Sequence, residues 1–256
     1  MAPYDILGNV VLVKFDRSAK SSEKKRFATR FLKDHREITT VLEKSARIKG
    51  RLRTPTTKWI AGEKTKEALY TENGCSFRLN VDSCYFSPRL ASERSELASL
   101  VKKGDRVLVM FGGVGPFAVV MGKKNKASEI ISVELGREPH RYAVENVKRN
   151  KLANVMCVQG NVRRVVPTLK GTFDRIVMAR PNLEDSFLDV AFKVINRGGT
   201  IHYYGFYPEE GAEEALRTLI LSESQKAKKK MRIMRIKKAG DIGTRRYRYR
   251  VDIKAL

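Results

Sequence analysis

The residues with the clearest chemical potential are Phe111-Gly112-Gly113-Val114-Gly115-Pro116-Phe117, followed about twenty positions later by Glu134. Glycines let a backbone approach a ligand without a Cβ in the way. An acid at the end of the next strand can accept hydrogen bonds from ribose hydroxyls. That pairing serves either a dinucleotide or S-adenosylmethionine. The third glycine of the dinucleotide fingerprint is missing, since Pro116 and Phe117 follow Gly115. A helix that starts Pro-Phe offers fewer amides to a pyrophosphate, which favours the methyl donor. The competing reading is a tight turn with a surface glutamate.

A second candidate is Glu93, four residues after Arg89 on one side of the same expected helix. On spacing alone this is an ordinary surface ion pair. His35, His140 and His202 are scattered without metal-ligand spacing, so no metal site is expected, and His202 reads as structural. Cys75, Cys84 and Cys157 form neither a Cys-x-x-Cys pair nor a disulfide framework. They read as reduced thiols in a cytoplasmic protein. No apolar run approaches the ~20 residues of a membrane span, and the first residues lack the pattern of a signal peptide.

The formal charge is +24, from 52 Lys and Arg against 28 Asp and Glu. Such an excess points to a polyanionic partner rather than to a fold. From Lys226 to Arg250 the only acid is Asp241, and the run ends Arg245-Arg246-Tyr247-Arg248-Tyr249-Arg250. Alternating Arg and Tyr suits a strand with one cationic face, and cations with stackable rings suit RNA.

The elements that must position these groups fall into two parts. Ile6 to Phe15 reads as a buried strand entered through a turn, Ser22 to Asp34 as an amphipathic helix with a basic outer face. Short strands then run to Leu79, with Pro55 and Gly62 as breaks, giving an α+β module over 1–80. Ser87-Pro88 signals a helix start, with Leu90, Leu97 and Val101 on one face. Beyond Gly104, strands at Val107–Phe111, Ile130–Val133, Val155–Val158, Arg175–Met178 and Ile201–Phe206 alternate with helices. One helix is expected over Leu183–Ile195, closed by Arg197-Gly198-Gly199, and a last hairpin from Met231–Ile236 and Tyr247–Ile253. This is an α/β pattern with a mainly parallel sheet over 81–256.

Three segments go further. Tyr85-Phe86-Ser87-Pro88-Arg89-Leu90-Ala91-Ser92-Glu93-Arg94, Val109 to Phe117, and Ile201-His202-Tyr203-Tyr204 resemble, in order and spacing, the archaeal and eukaryotic tRNA guanine-N1 methyltransferases acting at guanosine 37. The resemblance runs from Tyr4-Asp5-Ile6-Leu7-Gly8 to the final hairpin, without the extra N-terminal domain of some members. It implies a Rossmann-like class I methyltransferase domain behind a smaller basic α+β module that faces RNA. It also implies S-adenosylmethionine as cofactor, the tRNA anticodon stem-loop as partner, and a monomer. Glu93 matches the family's general base and Arg53 the arginine that steadies the guanine. Tyr85 and Arg89 line the donor side of the junction with the target base, and Arg94 the RNA side. Phe111, Gly112, Gly113, Val114, Gly115, Glu134, Asn161, Val162, Ala179 and Pro181 are expected around the donor. Arg180, Arg245, Arg246 and Arg248 are expected on RNA.

Three positions depart from the family pattern. Val109 stands where Asp is frequent, and Gly160-Asn161 replaces Gly-Asp. Ala179-Arg180-Pro181 replaces an Asn-Leu-Pro or Pro-Leu-Pro motif, removing an amide that can hold the target base. Transfer within the related wybutosine pathway, of an aminocarboxypropyl or a methyl group, therefore stays open. So does a degenerate RNA-binding protein.

Overall fold

The computed structural model describes residues 2–49, 54–124, 126–179 and 184–256 and divides into two compact units, Met1–Pro88 and Arg89–Leu256.

In the first unit, β1 (Tyr4–Leu7) and β2 (Val10–Val13) form an antiparallel hairpin. The single strand expected over Ile6–Phe15 is thus two. Gly8, at φ 57°, turns the chain, and a Cβ there would lie 1.7 Å from the Leu69 carbonyl oxygen. Only glycine can occupy that position. Helix α1 (Ser21–Asp34) connects β2 to a parallel β3 (Thr40–Lys49), and β4 (Thr54–Gly62) closes the sheet antiparallel to β3. Ala28 and Phe31 of α1 pack on Val11, Val13, Val41 and Ile60, which leaves Lys25, Arg26, Arg30 and Lys33 exposed. Pro55, expected as a break, lies inside β4, an edge strand where a missing N–H is tolerated. Strands β5 (Glu67–Glu72) and β6 (Cys75–Asn80) pair through Asn73-Gly74, both at positive φ. That dipeptide is a strong hairpin signal.

In the second unit, one 3-10 turn (Pro88–Leu90) precedes α2 (Ala91–Leu100), so the helix proper starts later than Ser87-Pro88 indicates. Then follow β7 (Arg106–Met110), α3 (Pro116–Lys123), β8 (Glu129–Glu134), α4 (Arg137–Arg149), β9 (Val155–Gln159), α5 (Val162–Val165) and β10 (Phe173–Met178). The chain ends with α6 (Leu188–Val194), β11 (Ile195–Pro208), α7 (Ala212–Lys226), β12 (Met231–Gly243) and β13 (Arg246–Ala255). The seven strands are ordered β12-β13-β11-β10-β7-β8-β9, and β13 runs antiparallel to both of its neighbours. The order reverses beside β7, so a crevice opens at the carboxyl ends of β7, β8 and β10, where α/β sheets bind ligands.

Two helices differ from expectation. Helix α6 begins at Leu188 rather than Leu183. Phe187 takes a left-handed φ of 58°, and its N–H donates to Asp185 Oδ1 at 3.0 Å, a local turn that delays the helix. Arg197-Gly198-Gly199 lies within β11, where its register with β10 shifts. Helix α7 was not anticipated, although Gly211, the acids Glu213 and Glu214, and Ala212, Leu216 and Ile220 at four-residue spacing mark it. Among the described residues no helix is long and apolar enough to cross a membrane.

Candidate active site

The turn after β7 is shaped by backbone. Phe111, Gly113 and Gly115 have φ of 64°, 57° and 86°. The Gly112 N–H donates to the Val133 carbonyl at 2.9 Å. A Cβ on Gly112 would come within 2.2 Å of Ser132 Oγ, a buried hydroxyl without a hydrogen-bond partner. Gly113 faces the other way, and nothing lies within 4 Å of where its Cβ would be. Val114 is buried, and Gly115 caps α3, whose residues Phe117 to Gly122 are all buried. The turn is therefore clamped underneath and open above.

Glu134, 8% exposed, braces that turn: Oε2 accepts from the Gly113 N–H at 2.8 Å and Oε1 from the Gly136 N–H at 2.6 Å. Each oxygen retains a lone pair for a ribose hydroxyl. Asn161 caps α5, its Oδ1 accepting from the Arg163 N–H at 2.9 Å. Val162 is buried in the main core, and Ala179 follows β10 half-buried. Beside the turn, Phe111 meets Phe187 edge-on at 5.1 Å, and Arg163 lies over Phe187 while pairing with Asp185 and Asp189. Nothing in the spacing of Phe187 or Arg163 announced this contact. A glycine-lined cradle beside a buried acid that ends the next strand fits S-adenosylmethionine.

Glu93, in the first turn of α2, is 7% exposed and does not form a surface ion pair. Its Oε1 accepts from the Tyr204 hydroxyl at 2.7 Å and from Arg250 Nη1 at 2.6 Å, and its Oε2 lies 2.8 Å from Lys237 Nζ. The Tyr204 ring meets Phe117 of the cradle's helix at 6.0 Å, so two aromatic rings link Glu93 to α3. Burial, then the neighbouring carboxylate, raises the Tyr204 hydroxyl well above the usual phenol range, so it stays a donor. Arg250 also reaches Glu96 at 2.7 Å and Asp252 at 3.0 Å. Burial opposes its charge, but Glu96, Asp252 and Glu93 raise its pKa further above the ordinary value. For Glu96, burial pulls upward, yet hydrogen bonds from Lys237 and Arg250 hold it below the usual carboxylate range.

The same network contains His202, whose Nδ1 lies 2.6 Å from Asp252 and whose Nε2 lies 2.7 Å from Arg175 Nη1. A guanidinium can only donate, so Nε2 accepts and Nδ1 carries the proton. Burial foremost lowers the His202 pKa and keeps the ring neutral. All three cysteines are free thiols, and burial pushes Cys157 up to about 11.

The RNA candidates divide. Arg245 and Arg246 are exposed at the turn between β12 and β13. Arg248 is half-buried over the Phe206 ring at 5.1 Å. Arg94 is 1% exposed over the Phe117 ring at 5.9 Å. The cationic face expected of β13 is real only at its outer end, because Arg250 turns into the Glu93 network. Arg89 is exposed. Tyr85, 49% exposed, belongs to the first unit. Arg53, Arg180 and Pro181 lie outside the described residues. Sequence reasoning missed Tyr204, Lys237 and Arg250 as partners of Glu93.

A seven-stranded sheet with one reversed strand, a glycine cradle at its switch point and an acid ending the next strand define a Rossmann-like S-adenosylmethionine-dependent methyltransferase domain. The TRM5/TYW2 methyltransferase domain model matches residues 68–239 and the TYW2 N-terminal domain model residues 2–65. The chain belongs to the TRM5/TYW2 methyltransferase family. It is 36% identical to tRNA (guanine(37)-N(1))-methyltransferase Trm5b of Pyrococcus abyssi over 80% of this chain, and spans 60% of that protein's length. It is 28% identical to tRNA (guanine(37)-N(1))/4-demethylwyosine(37)-methyltransferase Taw22 of Nanoarchaeum equitans over 98% of each. The crystal structure of Pyrococcus abyssi Trm5b superposes with a TM-score of 0.86 at 31% identity, covering 99% of this chain and 74% of that one.

Proposed function

We propose that this protein transfers a methyl group from S-adenosylmethionine to N1 of guanosine 37 in tRNA, in the cytoplasm. The observation that carries the reading is a buried carboxylate, Glu93, linked through the rings of Tyr204 and Phe117 to the helix that follows the glycine cradle. The donor, held by the turn 111–115 and Glu134, supplies a sulfonium-activated methyl group. Guanine N1 carries a proton and is a poor nucleophile until it loses it. Glu93 takes that proton, the N1 electron pair forms the new N–CH3 bond, and the electrons of the broken S–CH3 bond remain on sulfur. Charge moving toward O6 is assigned to Arg53, on the resemblance alone. The module over 1–80 and the exposed Arg245 and Arg246 face the RNA, with Arg248 beside them.

A second reading is methylation of 4-demethylwyosine at the same position. It is favoured by the end-to-end match to a relative named for both reactions and by Ala179 at the target-base motif. The test is unmodified tRNA transcript with methyl-labelled donor, followed by nucleoside mass spectrometry. A 1-methylguanosine peak that disappears when guanosine 37 is replaced supports the first reading. Label entering only tRNA that carries 4-demethylwyosine supports the second. Tight tRNA binding with no donor binding by calorimetry leaves the degenerate binding protein.

A further inference from the structure

A carboxylate offers about four lone-pair positions on its two oxygens. At Glu93, the Tyr204 hydroxyl and Arg250 Nη1 both donate to Oε1, and Lys237 Nζ stands 2.8 Å from Oε2 as an ion pair. Oε2 is thus the less crowded of the two oxygens among the described residues. We propose that Lys237 is a positioning residue for Glu93: with Arg250 and Tyr204 it fixes the carboxylate so that Oε2 receives the substrate proton, and its charge acts on that transfer. The inference rests on Glu93 acting as the base.

The surroundings of Glu93 support this division of labour. Strand β13 contributes Arg250, backed by Asp252; β12 contributes Lys237, with Arg235 reaching Glu96 at 3.5 Å; β11 contributes Tyr204. From α2 itself come Glu96, through the shared cations, and Arg94, turned to Phe117; α3 contributes the Phe117 ring. Arg250 has a fully buried side chain tied to three carboxylates, whereas Lys237 is 19% exposed on the edge strand and tied to two. When the proton leaves N1 and settles on Oε2, Glu93 becomes neutral. Lys237 then keeps Glu96 Oε2, 2.5 Å away, as its counter-charge. The transfer strands no buried cation.

A purely structural strap between α2 and β12 predicts a different response to substitution. The 13C signal of the Glu93 carboxyl, assigned by its absence in Glu93→Gln, is followed through a pH titration of the full chain. Removing an adjacent opposite charge disfavours the carboxylate, so in Lys237→Met the midpoint rises by about one pH unit. The acid limb of single-turnover methyl transfer moves up by the same step, and Lys237→Arg restores both. If Lys237→Met does not fold, Tyr204→Phe, which withdraws a hydrogen bond from Oε1, moves both readouts in the same direction by a smaller step. An unmoved midpoint and limb with a uniformly lower rate overturn the inference and leave the base role standing. Wild-type turnover in Glu93→Gln instead removes the base role, and the inference with it.

Discussion

Around Gly112 the protein is shaped by side chains that are absent, and around Glu93 by side chains that crowd together. At the cradle, three left-handed residues and a missing Cβ over Ser132 hold a turn whose upper side is open. Beyond the rings of Phe117 and Tyr204, a carboxylate takes two hydrogen bonds and an ion pair from residues of three strands. The cradle must admit a ligand, so it is built from backbone. The Glu93 carboxylate, the proposed base, is held in one orientation by a dense buried polar network. The difference teaches that binding and proton transfer here fail in different ways.

The largest effect that can break this comparison is in chemistry. Glu93→Gln is expected to lower the single-turnover rate by at least ~100-fold with donor affinity unchanged by calorimetry; a parallel loss of both would merge the two regions. Arg250→Met leaves Glu93, Glu96 and Asp252 short of a buried partner. It is expected to cost about 3–5 kcal/mol in chemical denaturation, whereas a change within 1 kcal/mol would make the network ornamental. At the cradle, Gly112→Ala drives a Cβ into the buried Ser132 hydroxyl and is expected to weaken donor binding by about tenfold, the equivalent of ~1.4 kcal/mol, and to cost about 1–3 kcal/mol of stability in chemical denaturation. Adding Ser132→Gly removes the clash and should return part of the affinity.

Smaller effects sharpen the contrast. The pKa of His202 is lowered by burial, so an unfolded chain binds a proton there that the native one does not. Stability from this group is complete above the unfolded value of about 6.5 and declines as pH falls toward the lowered folded value. His202→Gln, less stable at neutral pH, should show a flatter decline of melting temperature between about pH 6.5 and 5. At the exposed end of β13, Arg245→Ala with Arg246→Ala should reduce the salt slope of tRNA binding by about one to two. An unchanged slope would move the RNA elsewhere.

The cradle was legible because its meaning is local: Phe111 to Phe117, a strand before it and Glu134 after it lie within one unit of pattern. The network was not, because its members read alone as something ordinary. Glu93 with Arg89 looks like a surface pair, and Arg250 looks like the end of a cationic strand. Tyr204 stands 111 residues from Glu93 and Arg250 stands 157, a separation that no periodicity encodes. The misread hairpin at Gly8 has a different cause: Gly8-Asn9 is a hairpin signal set between two short apolar runs, and those runs together look like one strand. Helix α7 was overlooked because charge drew the reading past Ala212, Leu216 and Ile220 to the basic tail.

That 157-residue span also bears on the order of events during synthesis. The cradle's strands and helices, from Arg106 to Met178, emerge from the ribosome well before β13 does. Until Arg250 arrives, Glu93 has no guanidinium and α2 has no cross-brace to the far end of the sheet. A nascent chain can thus fold the glycine cradle early, while the Glu93 carboxylate, the proposed proton acceptor, is set in place only as one of the last steps of folding. Partly made chains would then hold the donor without being able to use it.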